Sequence, residues 1–123
     1  MSELTAQKII EIHNEVIDKY GGTIGILNIG SIEYLIYLLK KENDVYINAS
    51  LVLHNIIASH PFMDGNKRTG FQVADLLLRQ EGIHIHANDE KVLHALVKIA
   101  EYKCSVEKIE KWLREKVRPL HSC

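Results

Sequence analysis

The sequence predicts an all-α fold: a compact domain of about six helices with a short glycine-rich flap. Two observations carry this reading. Apolar residues recur at intervals of three and four along most of the chain, the spacing of one helix face. Most such runs also begin at Ser, Asn or Asp, side chains that satisfy the free N–H groups of a helix start. Only one stretch, "IHIHA", alternates as a strand does.

In chain order, Ile9, His13, Val16, Ile17 and Tyr20 mark a first helix over residues 5–19, stopped by Gly21 and Gly22. "YGGTIGILNIGS" carries four glycines and two short apolar pieces, so it reads as a loop or small hairpin. Ser31 is the expected cap of a second helix reaching about Lys41, and Asn48 or Ser50 that of a third. Leu53, Ile56, Ile57 and His60 then share a face, and Pro61 ends the helix by pushing its neighbour out of the α region. A fourth helix runs from Lys67 to about Glu81 with Asn66 as cap and Gly82 as stop. Asn88 or Asp89 caps a fifth, with Val92, Leu96, Ile99 and Ala100 as its stripe. Ser105 caps a sixth, with Ile109, Trp112 and Leu113 inward and Lys116 and Arg118 at its close.

At 123 residues the chain has the size of one domain, 1–123, able to bury roughly two-thirds of its unfolded surface. Fifteen basic and sixteen acidic residues leave a net charge of −1, which disfavours a direct nucleic-acid partner. Cys104 and Cys123 form no CxxC pair: the first reads as an inert buried thiol, the second as a frayed terminal one. "MSELTAQK" lacks the layout of a signal peptide, and no apolar run approaches the roughly 20 residues of a membrane span. A cytoplasmic protein with no membrane contact is expected. His84 and His86 share a strand face but have no third ligand, so solvated histidines are the expectation. The stripe of "IEYLIYLL" reads as core or partner contact.

The chemistry concentrates in "HPFMDGNKRTG", His60 to Gly70. Lys67 and Arg68 open a helix at its positive end, where acidic side chains are favoured by about 0.3–1 kcal/mol each. Two cations there make sense if an anion arrives. Gly65 lets a ligand approach the backbone, the first-turn N–H groups form an anion site, and Lys67 and Arg68 clamp phosphates. Asp64 is a hard oxygen ligand suited to Mg²⁺ on those phosphates. His60 suits the general base that activates an attacking hydroxyl. Singly, each of these residues is structural more often than catalytic. Nine residues holding all of them suit phosphoryl or nucleotidyl transfer. The segment is not a P-loop, which needs a further Gly upstream.

"HPFMDGNKR" resembles the signature HPFx(D/E)GN(G/K)R of the Fic/Doc (Fido) family, with every fixed position matched. "IHNEVIDKYGGTIG", "LLLRQEGIHI" and "CSVEKIEKWLREK" extend the resemblance over nearly the whole chain, toward the short death-on-curing (Doc) branch. The resemblance implies a Fido fold with His60 as base, Asp64 as Mg²⁺ ligand and Gly65 with Asn66 as anion hole. Lys67 and Arg68 would hold the phosphates of ATP, while Pro61 and Phe62 are structural, Phe62 pinning the loop into the core. Lys67 stands where AMP-transferring relatives usually have Gly. It favours a Doc-like toxin that transfers phosphate to a protein hydroxyl, on a translation factor such as elongation factor Tu. No Ser/Thr-x-x-x-Glu-Gly/Asn inhibitory segment is present, so a Phd-like antitoxin acting in trans is expected. The alternatives are AMP transfer to protein and a non-catalytic Fido binding module.

Overall fold

Thr5 opens the first helix, its hydroxyl accepting from Lys8 N at 3.1 Å. In the computed structural model, which describes residues 4–120, α1 then runs Ala6–Tyr20 until Gly21, at φ +86°, turns the chain away. The expected Cys123 lies outside the described residues. α2 is Ile29–Lys40, α3 Val45–Leu53, α4 Asn66–Gln80, α5 Asp89–Tyr102 and α6 Val106–Lys116. A π-helical turn, His54–Ala58, continues α3. Ser105 caps α6 as expected, accepting from Lys108 N at 3.3 Å, and of the two residues expected to cap α5 it is Asn88 that does so, accepting from Lys91 N at 2.8 Å.

Three helix starts differ from the sequence reading, each for a local reason. α2 begins at Asn28, not Ser31: Asn28 Oδ1 accepts from Ser31 N at 3.2 Å, and Asn28 N donates to Pro61 O at 3.1 Å. Docking of the preceding loop therefore sets that start. α3 begins at Asp44, whose Oδ1 accepts from Tyr46 N and Ile47 N. Asn48 and Ser50 lie inside the helix, bonding back to Glu42 O and Tyr46 O, an alternative open to short polar side chains. α4 begins at Gly65 rather than Asn66, whose side chain is engaged elsewhere.

The "IHIHA" segment does extend, as β1 Ile83–Ile85. It pairs antiparallel with an unforeseen β2, Val117–Pro119, in the register Ile83↔Pro119, His84↔Arg118, Ile85↔Val117. Arg118 thus lies in β2, not in the last turn of α6. Buried residues of α1, α3, α4 and α6 meet around Leu53, Phe62, Leu78 and Leu113, with α4 and α6 both packed on α3.

The expected stripes are only partly inward. Leu96, Ile99, Ile109 and Leu113 are buried, whereas Val92, Ala100, Trp112 and Cys104 are half-buried at the rim. On α2, Ile32 and Leu35 are core, while Tyr34 and Tyr37 are exposed and stack on each other. His84 and His86 meet edge to face at 5.7 Å, and among the described residues no group of three ligating side chains could hold a metal. No helix among the described residues is long and apolar enough to cross a membrane.

Candidate active site

One stripe of α1 builds the site from beneath. His13, Val16, Ile17 and Tyr20 stand at i, i+3, i+4 and i+7, so they share a face. His13 is buried, its ring stacked on Phe62 with centroids 3.8 Å apart, and its Nε2–H donates to Asp64 O at 2.7 Å. Val16 and Ile17 pack beneath Gly65: a Cβ built there would meet Ile17 Cδ1 at 3.2 Å. The Arg68 guanidinium lies 3.8 Å from the centroid of the Tyr20 ring.

The loop is held from within as well. Asn66 Oδ1 accepts from Phe62 N at 3.0 Å and Asn66 Nδ2 donates to Phe62 O at 2.9 Å, both bonds buried. The Asn66 side chain is therefore neither a helix cap nor free for a ligand. Its backbone N–H remains in the first turn of α4, beside those of Lys67 and Arg68, where no intrahelical acceptor exists. Gly65, at φ +75°, provides the left-handed turn into that helix. Phe62 is fully buried, as the sequence led one to expect.

His60 is exposed and outside the helix that precedes it, at φ +56°. A left-handed residue other than glycine costs about 1–2 kcal/mol, so the surroundings must impose it. The π-helical turn before it is anchored by Lys103 Nζ, which donates to Ala58 O at 2.7 Å, and by His54 Nδ1, 2.8 Å from Cys104 O. On the other side Pro61 O accepts from Leu27 N and Asn28 N. His60 thus does not share the face of Leu53, Ile56 and Ile57.

Residues 25–28 of the flap run beside Pro61–Met63, with Met63 N donating to Gly25 O at 3.0 Å and Ile26 bridging Phe62. Thr23 N donates to Asp64 Oδ2 at 3.0 Å, so the flap also holds this carboxylate. Above the loop opens a cleft of about 710 Å³. His60, Asp64 and Gly65 to Arg68 share its lining with the apolar Phe71, Val92, Leu93 and Leu96, and with Gln72 and Asp89. Among the described residues neither Lys67 nor Arg68 has an ion-pair partner; the ion pairs are Arg79–Asp75 and Arg114 with Asp44 and Glu110. The lining combines cations and free N–H groups with apolar side chains, a composition suited to a nucleotide. Asp64, in the loop itself, offers the cleft a carboxylate, and Asp89 of α5 offers a second. That donor set fits Mg²⁺ shared with phosphate oxygens, not a metal held by protein alone.

The model of the Fic/DOC family matches residues 3–78, more than half of the chain. The chain belongs to the Fic/DOC family. The match contains the flap and the whole His60–Arg68 loop and ends within α4. Over 96 residues the chain is also 27% identical to the protein kinase doc of Escherichia phage P1, covering 73% of this chain and 76% of that protein. As a family member it has the all-helical architecture expected from the sequence, with β1 and β2 as a minor addition.

The structure brings His60, Asp64, Gly65, Asn66, Lys67 and Arg68 to one cleft. Sequence reasoning missed Tyr20 in the lining and His13 buried beneath the loop. Both stood in the α1 stripe, and a histidine at an apolar position was the signal available. Asp89, remote in sequence, carried none.

Proposed function

We propose that this protein transfers a phosphoryl group from ATP to a hydroxyl of a protein target. The observation that carries the reading is the anion-ready start of α4: Lys67 and Arg68, unpaired among the described residues, beside first-turn N–H groups in a cleft that is also lined by apolar side chains. In this reading the apolar side chains of the lining take the base, and Lys67, Arg68 and the N–H groups of α4 hold the phosphates. His60, exposed at the cleft edge, accepts the proton of the incoming hydroxyl as its oxygen bonds to the γ-phosphorus. The bridging bond to the β-phosphate breaks and ADP leaves with that electron pair. Asp64 would hold Mg²⁺, which supplies charge neutralisation on the phosphates.

The identity to a relative named a protein kinase supports phosphate over AMP as the transferred group, as does Lys67. A translation factor is the proposed target and a Phd-like antitoxin in trans the proposed restraint, both carried over from the Doc branch.

The test incubates cell lysate and ATP with the wild-type chain or with His60→Ala and weighs the modified proteins. One target should gain the mass of a phosphate with the wild type, and the rate should fall about 10²–10⁴-fold with His60→Ala. Nucleotide binding should survive that change. A gain of AMP would replace kinase by nucleotidyl transfer. No transfer with any nucleotide, despite binding, would leave the binding-module reading in its place.

A further inference from the structure

We propose that Tyr20 is a positioning residue for Arg68: its ring is the platform that aims the guanidinium into the cleft. This deepens the reading above and rests on it for the identity of the anion. Arg68 Cζ lies 3.8 Å from the Tyr20 centroid, well inside the roughly 6 Å at which a cation over an aromatic face is attracted. Lys19 Nζ, at 5.2 Å from the same centroid, is the more distant cation. Both Tyr20 and Arg68 line the cleft, and among the described residues no carboxylate pairs with Arg68.

The chemistry explains why a ring, rather than an acid, stands there. A carboxylate would hold Arg68 just as firmly but would occupy the N–H fork that a phosphate needs. An aromatic ring attracts the guanidinium through its π-face and leaves the in-plane N–H donors unused. The long side chain is then ordered before the ligand arrives, and less freedom is lost on binding. Tyr20 is also well placed for rigidity. It is the last residue of α1, in the same stripe as His13, which anchors Phe62 and Asp64, and Ile17, which supports Gly65. One helix face therefore sets both the anion loop and the cation above it.

The experiment compares wild type, Tyr20→Phe, Tyr20→Leu and Arg68→Ala, with Tyr20→Leu repeated in the Arg68→Ala background. Two readouts are taken: NMR shifts of the Arg68 side-chain protons, and calorimetric affinity for pyrophosphate and ATP. The ring should shift the Arg68 resonances upfield in wild type and Tyr20→Phe, and the shift should vanish in Tyr20→Leu. Tyr20→Leu should weaken pyrophosphate binding about three- to tenfold, in line with a cation–π contact of this kind. Tyr20→Phe should restore it, and Tyr20→Leu should add nothing once Arg68 is gone. Tyr20 is 46% exposed, so the variants should keep the wild-type melting temperature. No ring shift in the wild type overturns the platform. A shift with equal affinity of wild type and Tyr20→Leu overturns the role in binding and leaves the proposed function standing. A wild type that shows the ring shift but binds neither pyrophosphate nor ATP overturns both.

Discussion

At the scale of single residues, the loop from His60 to Arg68 divides into side chains that face a ligand and side chains that build the loop. Asn66 belongs to the second group. Its amide bonds both backbone groups of Phe62, so the turn is closed by one side chain from within. Asn66→Ala would leave a buried N–H and a buried C=O unpaired, at about 1–3 kcal/mol each. We expect a stability loss of about 2–4 kcal/mol, read from the urea midpoint at constant m-value. A change below about 0.5 kcal/mol would mean that water or a shifted loop replaces the amide. Asn66 was visible in the sequence as a cap-type residue before a helix. What it caps could not be read there, because its partner is the backbone of Phe62, brought close only by the turn at Gly65.

Among the elements, α4 has to lie close to the π-helical turn for the loop between them to take its shape. Gly70 makes that approach possible: a Cβ there would meet Ile57 Cγ1 at 2.8 Å and Ile56 Cβ at 3.5 Å. In an exposed helix, Gly→Ala would stabilise by about 1 kcal/mol. Here overpacking, at about 1–3 kcal/mol, should win. Gly70→Ala is expected to lower stability by about 1–2 kcal/mol and to weaken anion binding, since α4 must move away from the loop it supports. Denaturant melts and pyrophosphate titration check the two parts. A more stable variant would show that the helices can part freely. From sequence alone, Gly70 is a weak helix residue with no stated purpose.

For the whole molecule, one tie joins segments seventy residues apart: Arg114 Nη2 of α6 donates to Asp44 Oδ2 at 3.0 Å. Asp44 also caps α3. Burial acts to raise its carboxyl, but the N–H groups of Ile47 and Tyr46 and the Arg114 guanidinium outweigh it and hold the pKa below the ordinary 3.8. Because the folded value is the depressed one, the stabilisation is fully present above the unfolded pKa. It is lost as pH falls through the folded value. Asp44→Asn keeps an acceptor for the cap but loses the charge. It should therefore lower stability near neutrality and flatten the acid limb of stability against pH, the two proteins converging in acid. An unchanged acid limb would place the acid sensitivity in other carboxylates.

The sequence by itself determined the fold class, the order of the six helices, the cap Ser105, and the family, because these depend on neighbours three or four residues apart or on one contiguous motif. Tertiary structure alone decided the start of α2, the pairing of β1 with β2, the left-handed backbone at His60 and the placing of His13 and Tyr20 against the loop. Each depends on groups distant along the chain: Asn28 on Pro61, Ile83 on Pro119, Ala58 on Lys103, Tyr20 on Arg68. Local periodicity carries no record of such partners. Where two capping residues compete within a few positions, the choice passes to whichever one the rest of the fold already holds.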